Sequence, residues 1–229
     1  MTPTPQVPLP AVMPVDREKW RKEINLSNFV NAGYELRDLR TCGDNVKRVL
    51  IIGPGQGLGP HVLKWLGYEV TTFDIDDTFE PDVVGSVHEM PMFANQQFDA
   101  VLASHVLEHL PPAFLDTAIA ELARVARFAL VYLPVNGRHV QFRLFPGFGA
   151  RDFSWVVDLF HWFRKPDPLT PRFMGGQHFW EIGVRGYRLR DVLNRLQRHF
   201  DLLSVYRNRD WNVSQNFVLK SLAAGKETA

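Results

Sequence analysis

Residues 49–57, with the sequence VLIIGPGQG, indicate the fold most clearly. The aliphatic run from Val49 to Ile52 predicts a strand that is buried on both faces, which is typical of a parallel sheet. Glycines follow at positions 53, 55 and 57. Because glycine has no Cβ and tolerates positive φ, this loop allows a ligand to approach the backbone closely. The stretch therefore predicts the first strand of an α/β sheet, followed by a ligand-binding loop.

Strand and helix patterns alternate after this stretch, which predicts an α/β protein with a parallel sheet. The last two strand patterns are separated by a short turn, so we expect them to be antiparallel neighbours. Helical patterns cover residues 16–40, 58–66, 111–127 and 185–200. Further strand patterns cover residues 68–76, 82–87, 98–104, 128–135, 201–209 and 212–222.

The bulk composition predicts one globular domain. The 229 residues are 45% hydrophobic and 22% charged, with a formal net charge of +1, so no broad nucleic-acid surface is expected. Cys42 is the single cysteine, which argues against a disulfide framework and favours the cytoplasm. Residues 1–15 are rich in proline and predict a flexible arm, without the features of a signal peptide, ahead of a domain over 16–229. No apolar run approaches the ~20 residues of a transmembrane helix.

An acidic residue ends the second strand pattern. A carboxylate at the position of Asp74 can accept hydrogen bonds from both ribose hydroxyls of a nucleoside. The dinucleotide fingerprint G-x-G-x-x-G does not fit, because it needs glycine where Leu58 or Pro60 stands. The triphosphate-binding loop G-x-x-x-x-G-K-[ST] does not occur either. The remaining pattern, G-x-G-x-G after a hydrophobic strand, favours another nucleoside ligand, and a tight turn without a ligand is the alternative.

Several motifs in order along the chain resemble those of the class I S-adenosylmethionine-dependent methyltransferases. They are VLIIGPGQG, TTFDID, GSVHEMPM, FDAVLASHVLEHLP and ALVYLPV, and they lie between residues 49 and 135. The resemblance is closest to the methyltransferase type 11-like group, whose fourth strand runs into a V-L-E-H helix start. It implies a Rossmann-like, mostly parallel seven-stranded sheet of order 3-2-1-4-5-7-6, with helices on both faces and a cap insertion before the last helix. It also implies S-adenosyl-L-methionine as the cofactor.

The same resemblance implies cofactor-binding roles for residues at the carboxyl ends of the strands. The glycines would pack against the methionine and ribose, Asp74 would bind the ribose hydroxyls, and Ile75 would cover the adenine. Ser86 and Val87 would lie at the adenine edge, and Ser104 and His105 would flank the methionine. The implied set is Gly53, Pro54, Gly55, Gly57, Asp74, Ile75, Ser86, Val87, Ser104 and His105.

Two positions depart from the family pattern. The family usually has an acid two residues before the first glycine, where this chain has Ile51. The ammonium group of the methionine part must then be held by another residue. Ser86 stands where the family often has an aspartate that contacts the adenine amino group. These departures leave open a protein that binds the cofactor as a scaffold without turnover.

Residues 105–109 read HVLEH, a spacing that one class of zinc peptidases also uses. Peptidases need this motif inside a long helix, whereas Pro111 and Pro112 disfavour a continuing helix here. We therefore expect a loop and a short helical turn at the cofactor edge of the sheet. A metal site is the alternative, because methyltransferases that act on the 3′-terminal ribose of small RNAs bind a divalent metal through E-x-x-E-H and a distant histidine. His105, Glu108 and His109 stand in those three places, but many relatives carry V-L-E-H without a metal, and we expect none.

Residues 136–183 break the alternation and are expected to form a substrate cap insertion. This segment is dense in aromatic residues and arginine. Within it, residues 151–165 carry Trp155, Leu159, Trp162 and Phe163 at helical spacing, which predicts a cap helix packed on the sheet edge. An aromatic wall for the substrate and a patch that rests on a membrane surface are the functional alternatives.

Residues 175–183, GGQHFWEIG, resemble an H-[FY]-W-E-[IL] stretch of methyltransferases found among glycan and cell-surface polysaccharide enzymes. That resemblance implies that His178 and Glu181 face the active site, and we expect them to be catalytic together with His109. Histidine titrates near neutral pH, which suits a general base for a sugar hydroxyl, although a structural histidine is the alternative. We expect methyl transfer to oxygen, rather than nitrogen, of a small-molecule, sugar or glycan-like acceptor. An RNA acceptor is the alternative, favoured by a basic cluster of Arg138, Arg143, Arg151, Arg164 and Lys165.

Overall fold

A seven-stranded sheet lies at the centre of the protein. The computed structural model describes residues 18, 22–144, 153–160 and 166–225, without the side chains of 153, 154, 158–160 and 225. The predicted arm over residues 1–15 lies outside these ranges. The strands are β1 (Arg48–Ile52), β2 (Glu69–Asp74), β3 (Val83–Val84), β4 (Phe98–Ser104), β5 (Ala126–Pro134), β6 (Arg138–Leu144), β7 (Phe153–Phe160), β8 (Phe200–Arg207) and β9 (Ser214–Ser221).

The strand order of the central sheet is β3-β2-β1-β4-β5-β9-β8. Strands β1 to β5 are parallel to one another, and β9 is antiparallel to both β5 and β8. This order equals the expected 3-2-1-4-5-7-6 once β6 and β7, which pair only with each other, are set aside. The predicted fold class and the antiparallel final pair are therefore confirmed. The point between β1 and β4, where the strand order reverses, is the place at which such sheets bind ligands.

Four helices pack on the sheet: α1 (Leu26–Thr41), α2 (Leu58–Trp65), α3 (Leu115–Val125) and α4 (Leu189–Leu196). Helix α1 begins at Leu26 because Asn25 caps it, with its side chain accepting a hydrogen bond from the N–H of Ser27 at 2.9 Å. One buried layer lies on the α1 and α2 side of the sheet and includes Ile51 and Leu63. A larger layer on the other side contains the apolar face of α3 and Trp180. The parallel strands are apolar on both faces because both faces are covered.

The predicted cap helix over residues 151–165 is wrong for the part that the structure describes. Residues 153–160 form β7, which pairs with β6 in an antiparallel hairpin. Valine and aromatic residues dominate β7 and favour extended backbone, and Trp155 lies opposite Phe142 across the pair. Residues 161–165, with Trp162 and Phe163, lie outside the described ranges.

The hairpin of β6 and β7 turns its polar face inward and its apolar face outward. On the inner face, His139 Nε2 lies 2.7 Å from Asn212 Oδ1, and Gln141 Nε2 donates to the Arg209 carbonyl at 2.6 Å. On the outer face, Phe142 is 58% exposed and Trp155 is 55% exposed. The hairpin is thus tied to the loop between β8 and β9 by hydrogen bonds, and its apolar face is largely exposed. Among the helices that the structure describes, none has the length and apolar character needed to cross a membrane.

Candidate active site

The glycine loop turns the chain sharply at the carboxyl end of β1. Gly53, Gly55 and Gly57 have φ angles of 64°, 56° and 83°, in the left-handed region that favours glycine. The N–H of Gly57 donates to the carbonyl of Pro54 at 3.0 Å and closes the loop. Space also requires glycine at position 53, because a Cβ there would meet Val106 Cγ2 at 2.7 Å. The loop therefore presents mostly backbone to the edge of the sheet.

Asp74 and Ser104 flank this loop on its two sides. Strand β1 lies between β2 and β4, with Ile52 opposite Phe73 on one side and Ala103 on the other, so the next residue of each strand lies beside Gly53. Burial raises the pKa of Asp74, although the N–H of Asp76 donates to its Oδ1 at 2.9 Å. The structure thus brings the predicted ribose-binding carboxylate to the predicted loop.

The residues expected at the adenine follow β2 and β3. Ile75 is exposed next to Asp74. The hydroxyl of Ser86 lies 2.6 Å from Nδ1 of His88, so it already has a partner. The side chain of Val87 is buried in the larger core layer, which leaves only its backbone for a ligand.

The switch point also contains residues that the sequence patterns did not indicate. Asn31 and Glu35, one turn apart on α1, reach the end of β4. Asn31 Nδ2 donates to Ser104 Oγ at 2.8 Å and to Glu35 Oε1 at 2.7 Å. On the far side, His105 has a φ of 55°, and its Nε2 lies 3.1 Å from Ser214 Oγ. The only signal for the Asn31–Glu35 pair in the sequence is its spacing of one helical turn.

The HVLEH segment is a loop and one short helical turn, as expected. A 3-10 turn covers Leu107–His109 and ends before Pro111. The zinc-peptidase arrangement therefore does not form, because it needs both histidines on one face of a continuous helix. The carbonyl of Glu108 accepts a hydrogen bond from the N–H of Phe179 at 2.8 Å, which docks the GGQHFWEIG segment against this turn.

The expected catalytic residues come together at this junction. His178 and Glu181 are both buried, with Nδ1 of His178 2.8 Å from Oε1 of Glu181. Asn136 Nδ2 donates to the other oxygen of Glu181 at 2.6 Å. The rings of His109 and His178 are 4.8 Å apart, edge to face. His109 Nδ1 lies 3.1 Å from the carbonyl oxygen of Gln177.

These contacts decide which ring nitrogen of each histidine carries the proton. A carbonyl oxygen only accepts, so His109 donates from Nδ1 to Gln177. An ionised carboxylate also only accepts, so His178 donates from Nδ1 to Glu181. In the neutral form both rings then keep a free lone pair on Nε2. A lone pair of this kind can take a proton or bind a metal ion.

Glu108 is a buried carboxylate among histidines. It is 0% exposed, and neither carboxylate oxygen has a hydrogen-bond donor among the described residues. Burial acts to raise its pKa, but His105, His109 and His178 outweigh this effect and hold the pKa below its ordinary value. His105 Nδ1 is 3.5 Å from Glu108 Oε1, which is too long for a good hydrogen bond but close enough for charge attraction.

A possible set of metal ligands overlaps these groups. One ligand atom each from Glu108, His109 and His178 lies within 4.8 Å of the others. The alternative ligand set from the sequence was His105, Glu108 and His109, so the structure groups His178 with the last two instead of His105. Two imidazoles and one carboxylate suit a divalent transition metal.

Part of the sequence matches a known protein family. Residues 50–128, which include the glycine loop, Asp74 and HVLEH, match the family model described as a methyltransferase domain. This stretch is about a third of the chain, and its match agrees with the class I S-adenosylmethionine-dependent methyltransferase resemblance of the sequence motifs and with S-adenosylmethionine as the expected cofactor. No curated protein matches the sequence at a significant level.

Solved structures share the fold of this protein along most of the chain. A sugar N-methyltransferase from a Streptoalloteichus species has a TM-score of 0.58 at 12% identity, with 92% of this chain and 94% of that chain covered. A glycopeptide N-methyltransferase complexed with S-adenosylmethionine has a TM-score of 0.52 at 15% identity, covering 84% and 93%. A Pyrococcus horikoshii protein has a TM-score of 0.53 at 14% identity, covering 89% and 95%. At these identities the likeness concerns the fold.

The groups predicted to bind the cofactor and those predicted to be catalytic lie at one edge of the sheet. His109 acts on Asp74 through space and lowers its pKa, against the larger effect of burial. His105 directly follows Ser104, its ring packs 4.6 Å from that of Trp211, and its Nδ1 faces Glu108.

Proposed function

We propose that the methyltransferase transfers the methyl group of S-adenosylmethionine to a hydroxyl of a small, sugar-like acceptor, with His178 as the base. The observation that carries this proposal is the buried His178–Glu181 pair, in which Nδ1 is 2.8 Å from the carboxylate and Nε2 is free. A histidine held by a carboxylate in this way is oriented to take a proton from an acceptor. The cofactor-binding set predicted from the sequence, from Gly53 to His105, belongs to the same proposal.

The proposed reaction is a single displacement. The acceptor oxygen attacks the methyl carbon in line, the carbon–sulfur bond breaks, and its electron pair stays on sulfur to give S-adenosylhomocysteine. The hydroxyl proton passes to Nε2 of His178. Glu181 then stabilises the imidazolium, and Asn136 holds Glu181 in place from its second oxygen. Because the sulfonium is already reactive, positioning of the two reactants supplies much of the rate.

The acceptor side of the proposal rests on the segment over 136–183. Asn136, His178 and Glu181 all come from it, and the hairpin of β6 and β7 begins two residues after Asn136. We assign the exposed face around Phe142 and Trp155 to acceptor contact, as part of a cap. Fold neighbours named as a sugar and a glycopeptide N-methyltransferase agree with an acceptor of this class. A cytoplasmic location, predicted from the single cysteine, also belongs to the proposal.

Nitrogen is the second candidate for the methylated atom, and the names of the same neighbours favour it. An amine that reacts as the free base already has a lone pair, so it needs a base far less than a hydroxyl does. The two candidates therefore differ in what the loss of His178 does. An RNA acceptor, the other alternative, would require binding that depends steeply on salt concentration.

The test is formation of S-adenosylhomocysteine with a panel of hydroxyl and amine sugars. We expect His178→Ala to lower kcat for a hydroxyl acceptor by about 10²–10⁴-fold, the usual contribution of a positioned base. The matched control is His61→Ala, because His61 is an exposed histidine on α2 and outside the site. Full activity of His178→Ala on a hydroxyl acceptor would contradict the role of base, and activity confined to amines would move the proposal to nitrogen.

Metal binding by Glu108, His109 and His178 is a rival role for the same imidazole. A metal ion would lower the pKa of the acceptor hydroxyl and would occupy Nε2 of His178. Assays with EDTA and with Mg²⁺, Mn²⁺ or Zn²⁺ added back separate the two roles. We expect no effect of EDTA, and a loss that one of these ions restores would replace the base by a metal site.

A further inference from the structure

Glu35 is a buried carboxylate that has no basic partner among the described residues. It lies on α1, is 8% exposed, and accepts a hydrogen bond from Asn31 at Oε1. Burial and the nearby Asp38 raise the pKa of Glu35, whereas hydrogen bonds from Ser104 and Asn31 lower it. None of these three residues is basic. Buried charges in proteins are normally paired, because an unpaired one is costly to remove from water. A carboxylate of this kind becomes neutral by protonation or is paired by a cationic ligand.

The position of Glu35 is set by elements that meet at the switch point. Ser104 ends β4 and shares with Glu35 the amide of Asn31. Gly59, in the first turn of α2, leaves room for the carboxylate, because a Cβ at that position would lie 2.9 Å from Glu35 Oε2. The carboxylate is thus placed between the start of the helix that follows the glycine loop and the end of β4.

The side chain of Ile51 packs in the core layer on this same side of the sheet, with Leu39 and Leu63. Leu39 is one turn after Glu35 on α1. A carboxylate supplied by α1 can therefore reach a region that an acid at position 51 would also face. Ile51 is the position at which the sequence lacks the acid expected before the glycine loop.

We propose that Glu35 binds the α-ammonium group of S-adenosylmethionine, with Asn31 and Ser104 holding its carboxylate in place. This inference rests on the assignment of the cofactor to the switch point. The ammonium is the part of the cofactor that a carboxylate recognises by a charge-assisted hydrogen bond. Binding would supply a positive charge beside Glu35, next to Gly59 of α2 and the hydroxyl of Ser104.

The test compares two ligands that differ in the amino-acid part. S-adenosylhomocysteine carries the ammonium and carboxylate groups, whereas 5′-methylthioadenosine keeps the adenosine and sulfur but has neither. Their affinities for the full-length protein are measured by calorimetry at pH 8. We expect Glu35→Gln to weaken S-adenosylhomocysteine by about 10–150-fold, the effect of losing a hydrogen bond to a charged group, and to leave 5′-methylthioadenosine within about twofold.

Two variants calibrate this comparison. Asp74→Ala removes the ribose contact and is expected to weaken both ligands alike, while Glu23→Gln, an exposed glutamate before α1, is expected to weaken neither. Gly59→Ala provides an independent approach if Glu35→Gln does not fold, because its methyl group would displace the Glu35 carboxylate. We expect it to weaken S-adenosylhomocysteine selectively.

The outcomes distinguish this inference from the proposed function. Equal affinities of wild type and Glu35→Gln for S-adenosylhomocysteine, or equal losses for both ligands, would overturn the role of Glu35 and leave the methyltransferase site intact. Failure of the wild type to bind either ligand would instead remove the cofactor assignment and this inference with it. A selective loss in both Glu35→Gln and Gly59→Ala would support the ammonium contact.

Discussion

An ionised Glu35 lowers the stability of the fold, whereas the proposed contact with the cofactor ammonium requires it to be ionised. Burial raises its pKa from 4.5 to about 7, and Asp38 on the same helix acts in the same direction. Tyr132 of β5 also faces this region, and burial together with the nearby acids raises its pKa. A carboxyl group whose pKa is raised in the folded protein destabilises the fold once it ionises. This cost is absent below the unfolded pKa and grows as pH rises from 4.5 to 7.

Neutralising this residue should therefore stabilise the protein without its cofactor. The pKa difference corresponds to about 3 kcal/mol at pH 8 and roughly half of that at pH 5.5. We expect Glu35→Gln to raise the free energy of unfolding by up to this amount, with the gain shrinking as pH falls. Urea unfolding at pH 8 and pH 5.5, with Glu23→Gln as control, measures it. A destabilised Glu35→Gln at pH 8 would mean that Glu35 is a structural residue.

Single residues also mark the limit of what the sequence could predict. Asp74 and the glycines were predictable because φ, close approach and hydrogen bonding leave few alternatives at those positions. Glu35 was not, because a glutamate at helical spacing reads as a solvated surface residue. Its burial depends on Ser104 and Gly59, which are distant in sequence and come close only in the folded chain.

Among the strands and helices, hydrophobic periodicity predicted the correct element where one or both of its faces are buried. The apolar runs of β1, β4 and β5 lie in the parallel sheet, and the amphipathic pattern before Val125 forms α3. The same method failed for β7, where aromatic residues at helical spacing belong to a strand. The reason is physical, because the apolar face of this hairpin is largely exposed, and an apolar pattern that does not match a buried core specifies the register weakly.

The exposed face of the hairpin can be tested by substitution. Phe142 and Trp155 lie opposite each other on its exposed face, and more than half of each side chain is exposed. We expect Phe142→Ser with Trp155→Ser to change the free energy of unfolding by less than about 1 kcal/mol and to leave affinity for S-adenosylhomocysteine unchanged. The KM for the acceptor should rise severalfold, because the proposed acceptor wall is lost. Steady-state kinetics measures this effect.

The control for this prediction lies on the opposite face of the same hairpin. Gln141→Ala removes the hydrogen bonds to the Arg209 carbonyl and to Asn212 that tie β6 to the loop between β8 and β9. It should affect the mobility of the hairpin and leave its apolar face in place. An unchanged KM in the double variant, together with reduced sedimentation with lipid vesicles, would favour a membrane-resting patch over an acceptor wall.

In the molecule as a whole, the order of the strands was predictable because the family resemblance implied it. Strands β1 to β5 pair in parallel, as that order requires. The glycine loop, Asp74 and Ser104 come from different strands, yet parallel pairing brings all three to one edge. The histidine cluster was predictable as residue types but not as a geometry. His109 and His178 meet because the chain returns from β5 through the hairpin and pairs Ile182 with the end of β5.

This arrangement predicts how cofactor binding spreads through the molecule. A ligand at the switch point contacts the glycine loop, the Asn31–Glu35 turn of α1 and the start of HVLEH, which belong to three separate stretches of sequence. Binding stabilises the elements it touches, by about 2.7 kcal/mol when the free ligand is at 100 times its Kd. We expect S-adenosylhomocysteine to slow amide hydrogen exchange in all three stretches and to leave β6 and β7 unchanged. Protection in the hairpin, or none in α1, would mean that the cofactor lies elsewhere on the sheet edge than the switch point implies.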